Sequence, residues 1–469
     1  MAAIPSLSQP TRLQQLQWIF DPVRYLQTSQ RLFPDLCKAN SLNFGPPGTD
    51  MVLVNHPQAL QQLLSDRKHF TAPGEMNWIL VPLLGTHSLI MLSGDSHRQR
   101  RQLMMPSFHG DRLRHYGSLI QELTHQALVG YTPGTRLLGR EVSQQISLQV
   151  IFRTVFGLSE GPQYERLKYL LGAIADLFNS PLTTFFLFFP HLQKDLGAWS
   201  PWGRFLRLQR EADELLYQEI RDRRANPDPN RPDILTLLMN AQDEQGESLS
   251  DQELRDELMT LLFAGHETTA TAIAWALYWL HRQPEVKTRL CEELSDLGTH
   301  PDPLELLRLP YLNAVCNETL RIHPVGMLTF PRQAQSDFTL MDYPIKAGTI
   351  LLGCIYQTHQ RPDLYPNPQA FNPDRFLNRQ YTPYEFLPFG GGLRRCMGEA
   401  LAQFEMKIVL GTVIQHYVLT LADQQPEKPK RRGVTLAPHR GVPLIYQGRR
   451  TEAIQTTQPQ SSQGIPSLR

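Results

Sequence analysis

The sequence predicts a mainly α-helical chain with a small β region, and its 469 residues could form two or three average domains or one large one. Apolar residues recur at helical spacing through 112–156 and through 163–225, the latter interrupted by an aromatic cluster beside a proline, and one helical pattern runs unbroken over 251–282. Short segments at 338–340 and 349–352 are typical of strands in a small sheet. Because 41% of the residues are apolar, the chain can bury a large core.

The shorter elements follow in chain order. Residues 43–56 are predicted to form a turn that enters a strand, and residues 57–69 are predicted to form a helix. Glycine and proline punctuate the apolar stretch 70–92, which favours a long loop with short helices. Near the end of the chain, the segments 434–436 and 442–445 are predicted to form a short strand pair.

Three parts of the chain differ in composition. Residues 1–30 mix Pro, Gln and apolar residues, and we expect them to dock on the main body; a weak contact with a membrane surface is the alternative. Residues 31–448 form the predicted domain. Residues 449–469 are rich in Gln, Ser and Thr, so this tail is predicted to be disordered.

Composition and charge exclude several classes of function. The chain carries 46 Lys and Arg against 45 Asp and Glu, so no nucleic-acid partner is expected. Its five cysteines form neither a CxxC pair nor a zinc-site spacing, which is typical of a reducing compartment. No apolar run reaches the roughly 18 residues of a membrane span, so we expect no transmembrane anchor and a cytoplasmic location.

A glycine-rich loop late in the chain carries the most specific pattern. Residues 389–398 read Phe-Gly-Gly-Gly-Leu-Arg-Arg-Cys-Met-Gly, and a helical pattern begins at Gly398. The three glycines allow the backbone to approach a flat ligand closely. Cys396 therefore lies where a loop meets a helix N-terminus. We expect the helix dipole and the adjacent arginines to favour its thiolate, which is the form that binds iron.

This pattern, Phe-x-x-Gly-x-Arg-x-Cys-x-Gly, resembles the haem-binding loop of the cytochromes P450. The resemblance implies the cytochrome P450 fold, a single large domain around a buried haem b, with the Cys396 sulfur as the axial ligand of the iron. Phe389 and Arg394, two further side chains of the pattern, are carried over as haem-binding residues. The alternative is an unligated cysteine beside a glycine turn, because free cysteines are often simply core residues.

The helix predicted over 251–282 contains a second motif, Ala-Gly-His-Glu-Thr-Thr at 264–269. A mid-helix glycine and two β-branched threonines weaken a helix, and the Thr268 hydroxyl can bond back to the Ala264 carbonyl and bend it. The motif resembles the oxygen-binding helix of the family. That resemblance implies that Glu267 and Thr268 are the catalytic residues and that they deliver protons for oxygen activation.

Charged residues elsewhere are candidates for binding the haem propionates. His97 and Arg101 are four residues apart and share one helical face. Their order, followed by Pro-x-Phe, is similar to the helix of the family that reaches the propionates, and Arg332 matches a strand arginine with the same role. Arg98 and Arg100 would then point elsewhere, toward an acidic electron donor. The alternative for this basic run is a solvated helix face.

A carboxylate and a guanidinium at Glu318 and Arg321 lie three residues apart on one predicted helical face. Such a pair is ordinarily a surface ion pair of small energy. Followed by His-Pro, it resembles the Glu-x-x-Arg pair of the family, and Arg375 matches the third member of that group. The resemblance implies a buried network that fixes the fold around the cysteine loop.

Two other motifs do not meet their structural requirements. His266 and Glu267 begin a zinc-protease pattern, but the second histidine of that pattern is missing. Gly157-x-Ser159-x-Gly161 matches the nucleophile elbow of serine hydrolases. That elbow must follow a strand, whereas the pattern before it is helical, so the sequence does not favour a hydrolase.

The resemblance implies a haem-thiolate monooxygenase that inserts one atom of O2 into a C–H bond of a lipophilic substrate. A long-chain fatty acid or alkane is the first candidate substrate, and a terpenoid or retinoid is the next. A haem-thiolate binding protein without turnover is the alternative from another class. Electrons would come from NAD(P)H through a separate ferredoxin or flavodoxin and its reductase. Too few residues follow Cys396 for a reductase domain, and no dinucleotide-binding motif is present.

Overall fold

A computed structural model describes the chain over the following residues: 3–8, 11–42, 49–108, 111–158, 160–179, 186–187, 189, 192–197, 199–228, 231–243, 245–298 and 301–450. The predicted turn at 43–48 lies outside these residues, and so does the predicted tail from position 451 onward.

Helices make up the larger part of the described chain. They span Thr11–Phe20, Pro22–Leu32, Pro57–Ser65, Val81–Leu84, Gly94–Met104, Asp111–Leu128, Gly139–Ile151, Pro162–Asn179, Pro201–Ala225, Ile234–Asn240, Asp251–Arg282, Pro284–Ser295, Pro303–Leu306, Pro310–Ile322, Ile355–His359, Asp374–Asn378 and Glu399–His416. None of these described helices is both long enough and apolar enough to cross a membrane.

The helix Asp251–Arg282, hereafter the central helix, has the bounds that the sequence predicts. Its first turn is closed by a capping box. The Ser250 side chain accepts a hydrogen bond from the Glu253 N–H, and the Glu253 carboxylate accepts one from the Ser250 N–H at 2.9 Å. Residues 269–278 are all buried, so this half of the helix is held by core contacts on every side.

The segment 112–156 is mostly helical, as predicted, but it is not one continuous helix. It divides into Asp111–Leu128 and Gly139–Ile151, with a short strand before the second helix. The turn between them includes Gly134, whose φ of 87° is one that other residues rarely adopt. The interruption expected within 163–225 is present, since the chain forms separate helices on either side of it.

The strands are short. They span β1 Leu36–Lys38, β2 Met51–Val54, β3 Phe70–Thr71, β4 Arg136–Leu138, β5 Arg332–Ala334, β6 Phe338–Leu340, β7 Tyr343–Ile345, β8 Ile350–Gly353, β9 Tyr417–Leu421, β10 Pro429–Arg432, β11 Thr435–Pro438 and β12 Pro443–Arg449. The predicted mainly α fold with a small β region is therefore confirmed.

The largest sheet has the strand order β1-β2-β8-β5-β3. β2 and β8 pair in parallel, and every other neighbouring pair in this sheet is antiparallel. All positions of β2 and β8 are buried, as expected for strands that are covered on both faces. The sheet also positions β5, which carries Arg332 to the cysteine loop at residues 389–398.

The strand pair predicted near the end of the chain is wrong in its partners. β11 pairs with β10, whereas β12 pairs with β4 and β9. Gly433, with φ 55°, allows a tight turn between β10 and β11. β11 therefore pairs with β10, the strand just before it in the chain, and not with the segment 442–445 as the sequence pattern predicted.

Two hydrophobic clusters are important for the architecture. The larger one surrounds the central helix and the helix Glu399–His416, hereafter the cysteine helix. A second cluster includes Trp18, Ile19 and Tyr25 of the N-terminal helices, packed with residues of β8 such as Leu352. The N-terminal helices are therefore seated on the largest sheet through buried apolar contacts.

Three charged side chains form a buried network. Arg321 donates to both carboxylate oxygens of Glu318, at 2.6 and 2.8 Å, and Arg375 donates to Glu318 at 3.3 Å. Arg321 also donates to the His359 carbonyl at 2.9 Å. Glu318 and Arg321 are fully buried. The network that the sequence pattern predicted is therefore confirmed in its geometry.

We expect Glu318→Gln to lower the free energy of unfolding by about 3–5 kcal/mol, because it leaves the buried Arg321 guanidinium without its counter-charge. Thermal unfolding followed by circular dichroism measures this effect. Asp337→Asn is the control, since it breaks only the exposed ion pair with Lys346 and should leave the midpoint unchanged. Equal midpoints for Glu318→Gln and the wild type would contradict a structural role for the network.

Candidate functional site

The cysteine loop folds back on itself through a backbone hydrogen bond. The Cys396 N–H donates to the Phe389 carbonyl at 2.9 Å. Gly392 has a φ of 63°, and a Cβ atom there would lie 2.2 Å from the Leu64 carbonyl oxygen. Glycine is therefore required at this position both by the backbone conformation and by the close approach of the chain at Leu64.

Cys396 lies just before the start of the cysteine helix. Its side chain is exposed, yet the surrounding protein is close enough that burial raises the pKa of its thiol to about 11. The Gly398 N–H, Arg101 and Arg395 act in the opposite direction and lower that pKa. The expectation that the helix end and the arginines favour the thiolate agrees with the direction of these contributions. Desolvation outweighs them, and a metal cation bound to the sulfur would supply the missing stabilisation.

The middle of the central helix carries an open face. Thr268 donates a hydrogen bond to the Ala264 carbonyl, as the sequence predicted. Ala264 is exposed and Thr268 is half-buried, although the flanking segments 254–262 and 269–278 are buried. Because residues four apart share one face of a helix, this face borders an open space within the core.

Glu267 points to a neighbouring helix. Its carboxylate accepts hydrogen bonds from Nε2 of Gln144 at 2.6 Å and from Nη1 of Arg140 at 3.4 Å. Both partners belong to the helix Gly139–Ile151. Consecutive residues of a helix leave it in different directions, so Glu267 and Thr268 project from different sides of the central helix. Sequence reasoning missed Arg140 and Gln144, because no short motif links groups that are more than a hundred residues apart.

Gly265 allows these two helices to approach each other. A Cβ atom at Gly265 would lie only 2.6 Å from Cδ1 of Ile151. A glycine inside a helix costs about 1 kcal/mol relative to alanine, and here the close packing with Ile151 accounts for its presence.

Four of the predicted haem-binding residues, three arginines and a histidine, gather into one cluster, hereafter the positive cluster: His97, Arg101, Arg332 and Arg394. Burial, together with the charges of the three arginines, lowers the pKa of His97 to about 4, so the positive charge of the cluster comes from the arginines. Burial, with the charge of Arg394, lowers the pKa of Arg332 to about 10. Burial is also the main reason that the pKa of Arg394 falls to about 10. Mutually repelling, partly buried cations are typical of an anion-binding site.

Two arginines of the positive cluster also hold the cysteine loop. Arg394 donates to the carbonyls of Ala72 at 2.7 Å and Leu89 at 3.0 Å, and Arg332 donates to the Gly391 carbonyl at 2.9 Å. Each therefore brings a positive charge to the site while it fixes the backbone. Their binding of haem propionates stays a prediction.

Arg98 and Arg100, on the same helix Gly94–Met104 as His97 and Arg101, differ in their burial. Arg100 is buried, donates to Glu257 at 2.8 Å and pairs with Glu253 on the central helix. The expectation that it faces an electron donor is therefore wrong, because two carboxylates hold it inside the protein. Arg98 is exposed and pairs with Asp95 at 3.2 Å.

His359 connects the buried ion network to the cysteine loop, and sequence reasoning missed it. Its Nε2 accepts a hydrogen bond from the Leu387 N–H at 3.0 Å, and its carbonyl accepts one from Arg321. Burial lowers the pKa of His359 to about 3, so the ring is neutral and can accept this bond. The adjoining Phe386 ring stacks on it at 5.4 Å. No motif surrounds this histidine in the sequence.

The arrangement around Cys396 fits a haem. Within the described residues, no group of three His, Cys, Asp or Glu side chains could hold a metal ion, so a metal at Cys396 must bring other ligands with it. A porphyrin supplies those ligands, and its two propionates suit the positive cluster. Cys396 would offer its sulfur to the iron.

The serine-hydrolase motif lacks the strand that it requires. Gly157 follows the helix Gly139–Ile151 and the turn Phe152–Phe156 that extends it. Ser159 itself lies outside the described residues. The chain before Gly157 is helical, as the sequence pattern predicted. This segment therefore does not form a nucleophile elbow.

Comparisons with known proteins identify the family. A sequence model described as cytochrome P450 matches residues 39–444. The protein named "Putative cytochrome P450 135B1" from Mycobacterium tuberculosis is 34% identical over 448 residues, which cover 95% of this chain and 92% of that protein. "Putative cytochrome P450 138" from the same species is 31% identical over 449 residues, covering 95% and 96%.

Solved structures share the fold. The retinoic acid-bound cyanobacterial CYP120A1 has a TM-score of 0.80 at 24% identity, covering 95% of this chain and 99% of that one. The cytochrome P450DA heme domain has a TM-score of 0.80 at 23% identity, covering 99% and 100%. At these identities the likeness shows the fold alone. Together with the sequence match and the cysteine loop, it establishes that the chain belongs to the cytochrome P450 family.

Proposed function

We propose that this cytochrome P450 is a monooxygenase that inserts one oxygen atom from O2 into a C–H bond of a lipophilic substrate, with a long-chain fatty acid or alkane as the first candidate. The observation that carries the proposal is the position of Cys396, exposed beside the positive cluster at the start of the cysteine helix. When bound there, haem b supplies the oxygen-activating chemistry.

The chain's own residues have distinct proposed roles in holding the haem. Cys396 would hold the haem iron through its thiolate, and Phe389 lies beside it in the loop. The positive cluster would bind the propionates, because a carboxylate placed among partly buried arginines relieves their mutual repulsion. Arg332 and Arg394 are fixed by backbone carbonyls, so they offer a rigid rather than a mobile set of charges.

Thr268 and Glu267 are proposed to deliver protons for oxygen activation. The Thr268 hydroxyl donates to the Ala264 carbonyl, which leaves its oxygen lone pairs free to accept a hydrogen bond from a water on the open face. The Glu267 carboxylate is held by Arg140 and Gln144. A proton from Glu267 must therefore reach Thr268 through water, or after the Glu267 side chain leaves these partners.

A terpenoid or retinoid is the second candidate substrate. The fold neighbour CYP120A1 binds retinoic acid, which shares with fatty acids an apolar body and a carboxylate. A haem-thiolate protein without turnover is less favoured, because such a protein needs neither the Thr268 hydroxyl nor the Glu267 carboxylate. Substrate-induced spin shifts with fatty acids, alkanes and retinoic acid separate these candidates.

Electrons are proposed to arrive from NAD(P)H through a separate ferredoxin or flavodoxin and its reductase, in the cytoplasm. Exposed cations surround the cysteine loop. Arg67 and Lys68 follow the helix whose Leu64 touches the loop, and both are exposed. Arg98 and Arg395 are exposed as well, but each pairs with a nearby acid. Arg67 and Lys68 are therefore the strongest candidates for contacting an acidic donor.

The first test is the absorption spectrum of the reduced, carbon monoxide-bound protein. We expect the wild type to show the strongly red-shifted Soret band of a thiolate-ligated haem, and Cys396→Ser to lose it. Cys291→Ser, at another accessible cysteine, is the matched control and should keep the band. A band typical of histidine ligation in the wild type would remove Cys396 from the site.

Thr268→Ala tests the proposed role of Thr268 in proton delivery. We expect product formed per NAD(P)H consumed to fall by about tenfold or more, with peroxide released instead, because the hydroxyl that orients a proton-carrying water is lost. Thr268→Ser keeps the hydroxyl and should restore most of the coupling. Unchanged coupling in Thr268→Ala would mean that this residue has no part in proton delivery.

The combined variant Arg67→Gln and Lys68→Gln tests the docking of the donor. We expect slower reduction by an acidic ferredoxin at low salt and a weaker dependence of the rate on ionic strength, since exposed charges are screened beyond about 10 Å at 0.1 M salt. Lys346→Gln changes an exposed lysine that pairs with Asp337 and serves as the control. A salt-independent rate in the wild type would contradict electrostatic docking.

A further inference from the structure

We propose that Cys291 is a modification site that forms a mixed disulfide with an anionic low-molecular-weight disulfide of the glutathione type. The site consists of the Cys291 thiol with the side chains of Lys287, Arg450 and His281, hereafter the thiol cluster. It lies where the helix Pro284–Ser295 meets the end of the cysteine helix. The inference concerns a reaction of the protein's own thiol and does not rest on the proposed function.

Cys291 differs from the other four cysteines, all of which the structure describes. Cys37, Cys316 and Cys354 are buried, whereas Cys291 is partly exposed. Burial raises the pKa of the Cys37 and Cys316 thiols to about 12, so neither ionises near neutral pH. The thiolate is the nucleophile in disulfide exchange, so the buried cysteines are inert. A haem bound at Cys396 would occupy its sulfur, which leaves Cys291 as the reactive thiol.

Two cations adjoin the Cys291 sulfur. Nη2 of Arg450 donates a hydrogen bond to Sγ of Cys291 at 3.5 Å. Lys287 precedes Cys291 by one helical turn. Burial lowers the pKa of Lys287 to about 8, the charge of Arg450 lowers it as well, and Cys291 acts in the opposite direction, so the three groups lie within electrostatic range of one another.

Neither cation is neutralised by a carboxylate in the part of the chain that the structure describes. Lys287 donates to the Leu419 carbonyl at 3.1 Å, and Arg450 donates to the Ile414 carbonyl at 2.7 Å and to the thiol. Both positive charges are therefore available to a negatively charged molecule that approaches Cys291. Such charges raise the local concentration of an anionic reagent and its rate of encounter.

His281 adds a hydrogen-bond acceptor to the thiol cluster. Its Nδ1 donates to the Leu277 carbonyl at 2.7 Å, so Nε2 carries the lone pair. Burial lowers the pKa of His281 to about 3, and the charge of Lys287 contributes to this shift, so the ring is neutral. Nε2 is buried and has no hydrogen-bond partner among the described residues. A buried acceptor of this kind lacks a donor, which an amide N–H of a glutathione-type molecule would supply.

The proposed reaction is a thiol–disulfide exchange. The Cys291 thiolate attacks one sulfur of the reagent, a new S–S bond forms, and the S–S bond of the reagent breaks. The leaving thiolate takes the electron pair and then a proton from water, and the proton of Cys291 is lost to water. Cys291 is oxidised and one half of the reagent is reduced, so the step needs no further oxidant. The resulting adduct is reversible by reduction.

The adduct would act on the end of the cysteine helix. Nη2 of Arg450, which donates to Cys291, also donates to the carbonyl of Ile414 in the last turn of that helix. A guanidinium drawn to the carboxylates of the attached group would leave this carbonyl without its partner. We therefore expect the adduct to lower the thermal midpoint of unfolding, and its removal by a reductant to restore the midpoint.

The experiment treats the full haem-loaded chain with glutathione disulfide and records its intact mass. We expect one adduct, which peptide mapping locates at Cys291 and dithiothreitol removes, and Cys291→Ser should form none. Reaction rates at low salt are then compared for glutathione disulfide and for the neutral bis(2-hydroxyethyl) disulfide. Lys287→Gln and Arg450→Gln should each slow the anionic reagent roughly tenfold and the neutral reagent much less, because only the anionic one is attracted by the cations.

The control is Arg289→Gln on the same helix, because Arg289 is already paired with Asp374 at 2.6 Å. It should react with glutathione disulfide at the rate of the wild type. The proposal is overturned if the wild type forms no adduct at Cys291, or if Arg289→Gln slows the reaction as much as Lys287→Gln does. Equal slowing of both reagents in Lys287→Gln would also overturn it, since charge would then play no part.

Two further readings come from the same samples. Circular dichroism of the adduct measures the midpoint, and a midpoint equal to that of the unmodified protein would overturn the effect on the cysteine helix. An adduct at Cys396 in the peptide map would show that its sulfur is not held by a haem. The map therefore separates a failure of the haem assignment from a failure of the thiol cluster.

Discussion

Burial of opposite charges beside the cysteine loop is the constraint on which the site depends. Arg332 and Arg394 are held where burial lowers the pKa of each, so each positive charge is unfavourable until an anion lies beside it. Cys396 has the reverse problem, because burial raises the pKa of its thiol and disfavours the thiolate. A bound haem would relieve both at once, because its propionates would neutralise the arginines and its iron would stabilise the thiolate. The buried charges of this site would therefore be balanced only when the cofactor is bound.

The loop keeps its shape through contacts that begin far from it. Glu318 holds Arg321, Arg321 holds the His359 carbonyl, and the His359 ring accepts a hydrogen bond from the Leu387 N–H just before the loop. All of these groups are buried, so water cannot replace any of the bonds. On the other side, the Gly392 backbone meets Leu64 too closely for a side chain. The site is therefore held by a sequence of fixed contacts rather than by the loop alone.

The sequence predicted the parts of this fold that show a regular hydrophobic period or a motif of several defined residues. The bounds of the central helix were predictable because local spacing determines a helix and its faces. The group of Glu318, Arg321 and Arg375 was predictable only through the family resemblance, since Arg375 is far from the other two in the chain. Strand partners near the end of the chain were not, since pairing depends on which segments the whole fold brings together. The same limit explains Arg140 and His359. Arg140 and His359 each contact a group that is distant in the chain, and the sequence around them contains no motif that would indicate this contact.

The most consequential of these distant contacts concerns the proposed proton pathway. The motif places Glu267 and Thr268 next to each other in the chain, but consecutive side chains leave a helix in different directions, and Arg140 and Gln144 hold the Glu267 carboxylate. While both hydrogen bonds persist, the carboxylate stays directed at the helix Gly139–Ile151. Release from Arg140 and Gln144, or a bridging water, would therefore be needed before any proton transfer to Thr268. Because a Cβ atom at Gly265 would lie 2.6 Å from Cδ1 of Ile151, the glycine of the motif takes part in the same helix–helix contact as its acid.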